Sequence, residues 1–518
     1  MAGEARSAAK AWWALAGLTL AVLAVSLDGT VLSVALPTLA RGLHASESDL
    51  EWFQSGYLLV LAAAMLPVGL LGDRLGRRRV LVAALVLFGI GSIACAEAPS
   101  PGAFIAARAV LGIAGAGIIV MALSVLTVVF TAEQRPKAVG VWAAANFLAL
   151  PIGPLFGGWL LTHFWWGWAF LVNVPVTLVG VAAVATLIPE SRAAERPGLD
   201  VVGTVLSAAG LLAVTYGLVR AGEDGWGDAG SLGWLLAGVL TVMLFVAWER
   251  RVGREGGHAL VDVALFRAAS FTWGVLLAGV GALAMVGVLF TMPQFFQAVL
   301  GTSPMGSGLR LIPLVVGLLV GAVPADKIAA RLGVKAAVAA GFVMLAAGLA
   351  LGALTSRGSS AGFVAAWMAL AGAGMGLSLS TATSAALAEV GDDGSGVAAG
   401  VLQALQKLGG PFGAAILGSL ASSAYRARLH LGDLPAGVAA QARASVFAGV
   451  GVARRARSPK LLSMVESAFT HGMDYALSAS AGIAVLGVVL AIVFLPKRTA
   501  SATTKRNAGK ERHHVGLG

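Results

Sequence analysis

Three ionisable residues stand in long apolar stretches that otherwise carry no charge: Asp28, Arg108 and Lys407. A charged group at the centre of a bilayer costs roughly 2.5–3.5 kcal/mol even on lenient insertion scales, so such a residue faces a protein interior or a water-filled path and works there. The chemistry open to Asp28 is proton uptake and release. A guanidinium beside it favours the charged carboxylate and desolvation opposes it, so movement between two environments would load and unload the acid. A static ion pair that merely fixes two helices is the competing reading for Asp28 and Arg108.

The elements that must position these groups are membrane helices. The chain has 518 residues, 58% hydrophobic and 12% charged, with a mean hydropathy of +0.86, which leaves no room for a soluble protein. A helix needs about 20 apolar residues to cross about 30 Å of hydrocarbon, and lipid offers unpaired backbone groups no partner. Fourteen spans are expected near residues 12–36, 50–71, 79–97, 103–127, 138–161, 167–188, 201–220, 232–248, 271–297, 305–325, 334–354, 362–388, 397–422 and 478–496. The first is read as a retained anchor, because a matching second run follows it. Cys95, the single cysteine, lies in an apolar run and allows no intrachain disulfide.

Basic residues test the topology, since Lys and Arg concentrate in short cytoplasmic loops. With the N-terminus inside, 23 of the 36 fall on the cytoplasmic side, four in short outer loops (Arg41, Arg220, Arg310 and Arg357) and seven in a long outer segment near 425–476. Both termini are therefore expected inside, in the cytoplasmic membrane of a bacterium. Arg108 then lies about six residues, roughly 9 Å, into its span and Asp28 about eight residues, roughly 12 Å, into its own, at comparable depth. The net charge of +11 is spread over loop after loop, which points to topology and anionic lipid rather than nucleic acid. The segment 425–476 has the pattern of short amphipathic helices on the outer surface, and 497–518 forms a basic cytoplasmic tail.

An imperfect repeat divides the chain. The loop at 69–79, with Gly69, Asp73, Arg74, Gly76 and Arg77, joins spans 2 and 3, and a degenerate counterpart at 326–335, with Asp326, Lys327, Arg331, Gly333 and Lys335, joins spans 10 and 11. The glycines permit a tight turn, Asp73 can face a helix N-terminus, and the arginines can hold phosphate headgroups. The expected organisation is a six-helix half (1–190), an inserted two-helix segment (191–255) and a second six-helix half (256–496). Halves related in this way suit alternating access around a central site. In span 5, Gly153 and Gly157 remove side chains at i and i+4 so another helix can approach, and Pro154 permits a bend, with Gly158 following.

These residues carry a family resemblance over nearly the whole chain. The segments 27–37, 69–79, 108–112, 153–158, 168–175 and 293–301, in that order, resemble the fourteen-span drug:proton antiporter branch of the major facilitator superfamily, typified by QacA and EmrB. The resemblance implies an all-α membrane protein with the major facilitator fold, a role for Asp28 and Arg108 in proton coupling, and a span-5 motif typical of export. Ala149 stands where the motif's leading glycine is expected, and Leu111 where relatives often carry glutamine. QacA-type exporters of multiply charged cations carry further membrane acids, which spans 2, 10 and 13 here lack; span 13 presents Gln403, Gln406 and Lys407 instead. Lys407 in the central cavity would hold an anionic group, repel cations or pair with Asp28.

The expected function is a proton-coupled exporter of lipophilic drugs or antibiotics, neutral, zwitterionic or weakly charged, working as a monomer. The expected cavity groups, taken from polarity, are Gln54, Tyr57, Trp142, Asn146, Gln294, Gln403 and Lys407. An exporter of lipids or cell-envelope precursors is the alternative within transport, and a non-transporting scaffold or sensor the alternative outside it. Neither a phosphate-binding loop nor metal-ligand spacing occurs, so no enzyme activity, metal or cofactor is expected.

Overall fold

The computed structural model describes residues 2–43, 45, 47–131, 133–192, 200–223, 225–255, 261, 263–388, 395–429, 431 and 435–496. The basic tail at 497–518 lies outside them. Among the described residues the chain is helical throughout, with no strand.

The first half comprises α1 (Ala2–Gly42), α2 (Glu47–Leu75), α3 (Arg77–Ala96), α4 (Pro101–Val129), α5 (Arg135–His163), the short α6 (Trp168–Leu171) and α7 (Asn173–Leu187). An inserted hairpin follows, α8 (Val201–Glu223) and α9 (Ala229–Arg254). The second half runs through α10 (Ala269–Gln294), α11 (Pro304–Arg310), α12 (Ile312–Ala322), α13 (Ala325–Leu332), α14 (Val334–Gly352), α15 (Ala361–Ala388) and α16 (Ser395–Arg428). It ends with α17 (Ala436–Ala444), α18 (Val446–Arg455) and α19 (Pro459–Phe494).

Among the described residues, twelve helical stretches are long and apolar enough to cross a bilayer, and they coincide with twelve of the fourteen expected spans. At the other two, near 138–161 and 397–422, the structure has the helices α5 and α16, of 29 and 34 residues. Start signals are local. Ser100 accepts from the amide of Ala103 (3.3 Å) with Pro101 as the first helical residue of α4, and Asp228 caps α9 through the amide of Ser231 (2.8 Å). That amide holds the half-buried Asp228 carboxyl below the ordinary carboxylate range.

Within the first half α1 packs on α5 and α7, and α4 on α2 and α3; within the second, α15 packs on α12 and α14, and α10 on α16 and α19. The halves meet where α2 touches α16 and α5 touches α12 and α15. The inserted α8 lies against α2 of one half and α16 of the other. Small residues set the approach of α12 and α15. A Cβ on Gly317 or Gly321 would strike the backbone of Ala369 or Ala373, and one on Gly372 or Gly376 would strike Leu314 or Leu318. The glycine cluster of α15 is therefore a reciprocal helix seam.

The outer segment departs from expectation in its extent. The last helix begins at Pro459, far before residue 478, because Leu461, Val465 and Phe469 form one buried stripe at i, i+4, i+8. Two short helices do form, α17 and α18, and Tyr425 ties them to α16 by donating to the carbonyl of Ala442 (2.7 Å). Arg357 forms an ion pair with Glu466, joining the α14–α15 turn to α19.

Candidate functional site

The structure brings Asp28 of α1 and Arg108 of α4 together. They form an ion pair through Asp28 Oδ2 and Arg108 Nη1, with Asp28 2% and Arg108 0% exposed. Arg108 Nε also donates to the carbonyl of Phe53 (3.0 Å), and the guanidinium lies 4.2 Å from the ring centroid of Tyr57. The Tyr57 hydroxyl donates to the carbonyl of Val25 (3.3 Å). Gly112 and Gly115 let α4 approach α2 here, since a Cβ at Gly112 would meet the Tyr57 carbonyl at 2.8 Å. Above the pair, Phe53, Phe104 and Phe170 pack in series, with centroids 4.4 Å and 5.3 Å apart. Asp28 Oδ1 and Arg108 Nη2 are buried without a hydrogen bond. A buried pair with one free acceptor and one free donor is incompletely satisfied where an unmade hydrogen bond is expensive.

The span-5 motif holds the segment of α1 that bears Asp28. A Cβ on Gly153 would collide with Thr30 Oγ1, and one on Gly157 would meet Val31 Cγ1 at 3.1 Å. Thr30 Oγ1 lies 3.1 Å from the carbonyl of Ala149 and 3.0 Å from that of Leu27. The predicted close approach is thus between α5 and α1. Gly158 faces open space with nothing within 4 Å of a Cβ, so it takes no part in this seam. The side chain of Pro154 lies outside the described residues.

The 69–79 loop links the two halves. Asp73 Oδ1 accepts from Arg77 Nε (3.2 Å) and Nη2 (2.8 Å), and Asp73 Oδ2 accepts from the amide of Val397 (2.9 Å) in the first turn of α16. The aspartate of one half thereby caps a helix N-terminus of the other, where free amides and the helix dipole favour an anion. Gly76 turns the chain at φ 109° and packs against Glu190, and Gly72 leaves room for the Met121 sulfur. Gly69 is buried and Arg74 half-buried.

One expectation for this loop is corrected. Of its arginines, Arg77 is fully buried and Arg78 donates to the carbonyl of Ala185 (2.6 Å). Of these three, Arg79 is the one that projects outward, its side chain 72% exposed and 3.5 Å from Glu190. Acceptors within the protein compete for Arg77 and Arg78.

The expected cavity residues divide. Tyr57 is buried under Arg108 inside the first half, so it shapes the ion pair instead of offering a free polar handle. Trp142 is buried on α5. On α16, Gln403 Nε2 donates to Gln406 Oε1 (3.3 Å), and Gln406 Nε2 has no hydrogen bond. Lys407 is half-buried one residue further on. The partner of Asp28 is Arg108 and not Lys407. Gln294 donates to the carbonyl of Phe290 (2.8 Å) on its own helix. The side chains of Gln54 and Asn146 lie outside the described residues. Leu111 is buried toward α3, where a Cβ on Gly91 would meet it at 3.0 Å.

Sequence reasoning missed Thr30, the Phe53 carbonyl and the Val397 amide. Thr30 had a signal in its place two residues after Asp28; the other two are backbone groups, which every residue carries.

The structure superposes on the proton:xylose symporter XylE with a TM-score of 0.61 over 95% of this chain and 98% of that one, at 18% identity, a likeness of fold alone. In sequence, the tetracenomycin C resistance and export protein of Streptomyces glaucescens is 30% identical over 493 residues, covering 93% of this chain and 91% of the relative. The multidrug efflux pump LfrA of Mycolicibacterium smegmatis is 32% identical over 496 residues, covering 93% and 97%. Residues 18–414 match the profile of the Major Facilitator Superfamily, and with the all-helical architecture they establish that the chain belongs to that superfamily of membrane transporters.

Proposed function

We propose that this chain is a proton-coupled secondary exporter of lipophilic drugs or antibiotics, working as a monomer with fourteen spans and both termini in the cytoplasm of a bacterium. The observation that carries the coupling is the Asp28–Arg108 pair, the one ion pair among the described residues that lies deep between two membrane helices with an orphan atom on each partner. Relatives that align with 93% of the chain are named for antibiotic export and multidrug efflux, which supports the direction and the cargo class.

The proposed cycle follows from the geometry. With Asp28 charged, Arg108 holds it. A proton on Asp28 removes most of that attraction, and α1, released from α4, is then free to shift along its seam with α5, set by Gly153, Gly157 and Thr30. The Asp73–Val397 bond closes the two halves in one state and must open in the other. Substrate binds between the halves beside Gln403, Gln406 and Lys407 on α16. One buried acid already neutralised by one base is poor equipment for a dication, so neutral, zwitterionic or weakly charged compounds are favoured.

The test is proton flux and drug flux in proteoliposomes. A transported drug should drive proton movement in the native protein, and Asp28→Asn should abolish that coupling while the protein remains folded. Coupled flux that survives Asp28→Asn would overturn the proton assignment. Movement of labelled lipid with indifference to drugs would replace the cargo, and absence of any flux would make the protein a scaffold.

A further inference from the structure

Away from Arg108, α1 borders a second feature that the transport cycle does not use. A cleft of about 230 Å³ opens between α5 and α7 with α1 as its floor. Its walls include Leu23, Leu27, Phe156, Val172 and Val176, and among the described residues its only polar side chains are Asp28 and Asn173. Of the lining residues Leu23, Leu27, Phe156 and Val176 are half-buried, and one turn further along their helices Trp159 of α5 and Val179 of α7 are 50% and 55% exposed, so the mouth opens at the apolar exterior that a bilayer covers.

The cleft is short of a donor. Asn173 gives its amide to Ser92 (3.3 Å), Asp28 Oδ2 is held by Arg108, and Asp28 Oδ1 has no hydrogen bond. Ordered water is held by two to four polar partners, and besides Asp28 Oδ1 the described lining offers only the Asn173 amide, in walls that are otherwise apolar. A donor carried in on an apolar body meets both needs. A cation would be placed beside Arg108, so the fitting donor is neutral, a hydroxyl or an N–H. Pockets for whole drug-sized ligands run to about 300–1,000 Å³, so this smaller space suits a short alkyl chain or a single ring.

We propose that the cleft between α5 and α7 is a membrane-facing subsite for a small neutral amphipathic molecule, or the corresponding arm of a larger one, whose hydroxyl or N–H donates to Asp28 Oδ1. On the export reading above, and resting on it, the donor and the transported proton compete for one oxygen, so proton loading displaces the molecule sideways into the bilayer.

The probe is octanol carrying a diazirine, with the matching diazirine octane as the hydroxyl-free control, applied to the full chain in phosphatidylcholine–phosphatidylglycerol nanodiscs. Photolabelling is read by peptide mass spectrometry. The alcohol should label the cleft-lining segments of α1, α5 and α7 saturably, about tenfold above the alkane, as expected for one hydrogen bond to a charged acceptor. Val176→Trp and Ala24→Phe, fillers on two different helices in case one fails to fold, should each remove that selective labelling. Equal labelling by alcohol and alkane, or labelling that survives both fillers, overturns the subsite. Drug-driven proton flux on the same preparations separates the two claims. Intact flux without selective labelling removes the subsite alone, and selective labelling without flux removes the exporter reading alone.

Discussion

The turns that open α3 and α14 share a backbone and differ in chemistry. Each pivots on a glycine at positive φ, Gly76 at 109° and Gly333 at 86°, and each is preceded by an aspartate and surrounded by basic residues. In the first, Asp73 is buried, paired with a buried Arg77, and bonded across to Val397 of the other half. In the second, Asp326 Oδ1 has no hydrogen bond, and Lys327 and Arg331 are exposed. A repeated turn geometry thus serves two ends. One copy carries a side-chain hydrogen bond between the halves, and in the other, whose helix α13 also touches α5, Asp326 Oδ1 makes none.

The sharpest way to break this comparison is to remove the two acids. Asp73→Ala removes the carboxylate from a buried guanidinium and uncaps α16, and breaking a buried pair in this way costs roughly 3–5 kcal/mol. The variant should lose drug efflux and melt markedly earlier in detergent, whereas Asp326→Ala should stay close to the native protein in both; equal losses would show that the joint is not special to one copy. A smaller effect is expected at the glycines. Alanine at either positive φ carries about 1–2 kcal/mol of strain, and at Gly76 its Cβ would also strike the Glu190 carboxylate. Thermal midpoints should therefore fall for both Gly76→Ala and Gly333→Ala, further for the first. The smallest effect belongs to Arg79→Ala. Its exposed pair with Glu190 is of a kind worth about 0–1 kcal/mol, so a shift in midpoint as large as that of Arg77→Ala would refute the division of the arginines into buried and exposed.

Much of the fold was legible because lipid simplifies the problem. Runs of about 20 apolar residues in a bilayer have helix as their one economical structure, and the turn residues Gly76 and Gly333 stand where the repeat placed them. Asp28 and Arg108 were legible as candidates because charge in such runs is conspicuous, and the structure pairs them. Their neighbours were less so. Tyr57 has the composition of a cavity handle, yet it is buried beneath Arg108, and helix rotation in a bundle that is apolar on all sides leaves no amphipathic stripe from which to read that direction. The start of α19 was missed for the related reason that buried and lipid-facing residues look alike.

By itself the sequence determined the class of molecule, the approximate spans and the few residues costly enough to need a purpose, since hydropathy and the expense of charge in lipid act on each segment separately. The tertiary structure alone decided who meets whom: that Asp28 takes Arg108 and not Lys407, that Gly153 makes room for Thr30, and that Asp73 reaches across to a backbone amide of α16. Those contacts join residues far apart in the chain. They depend on how each helix is rotated and how closely it packs, and pairwise packing is a property of the bundle that no single segment carries.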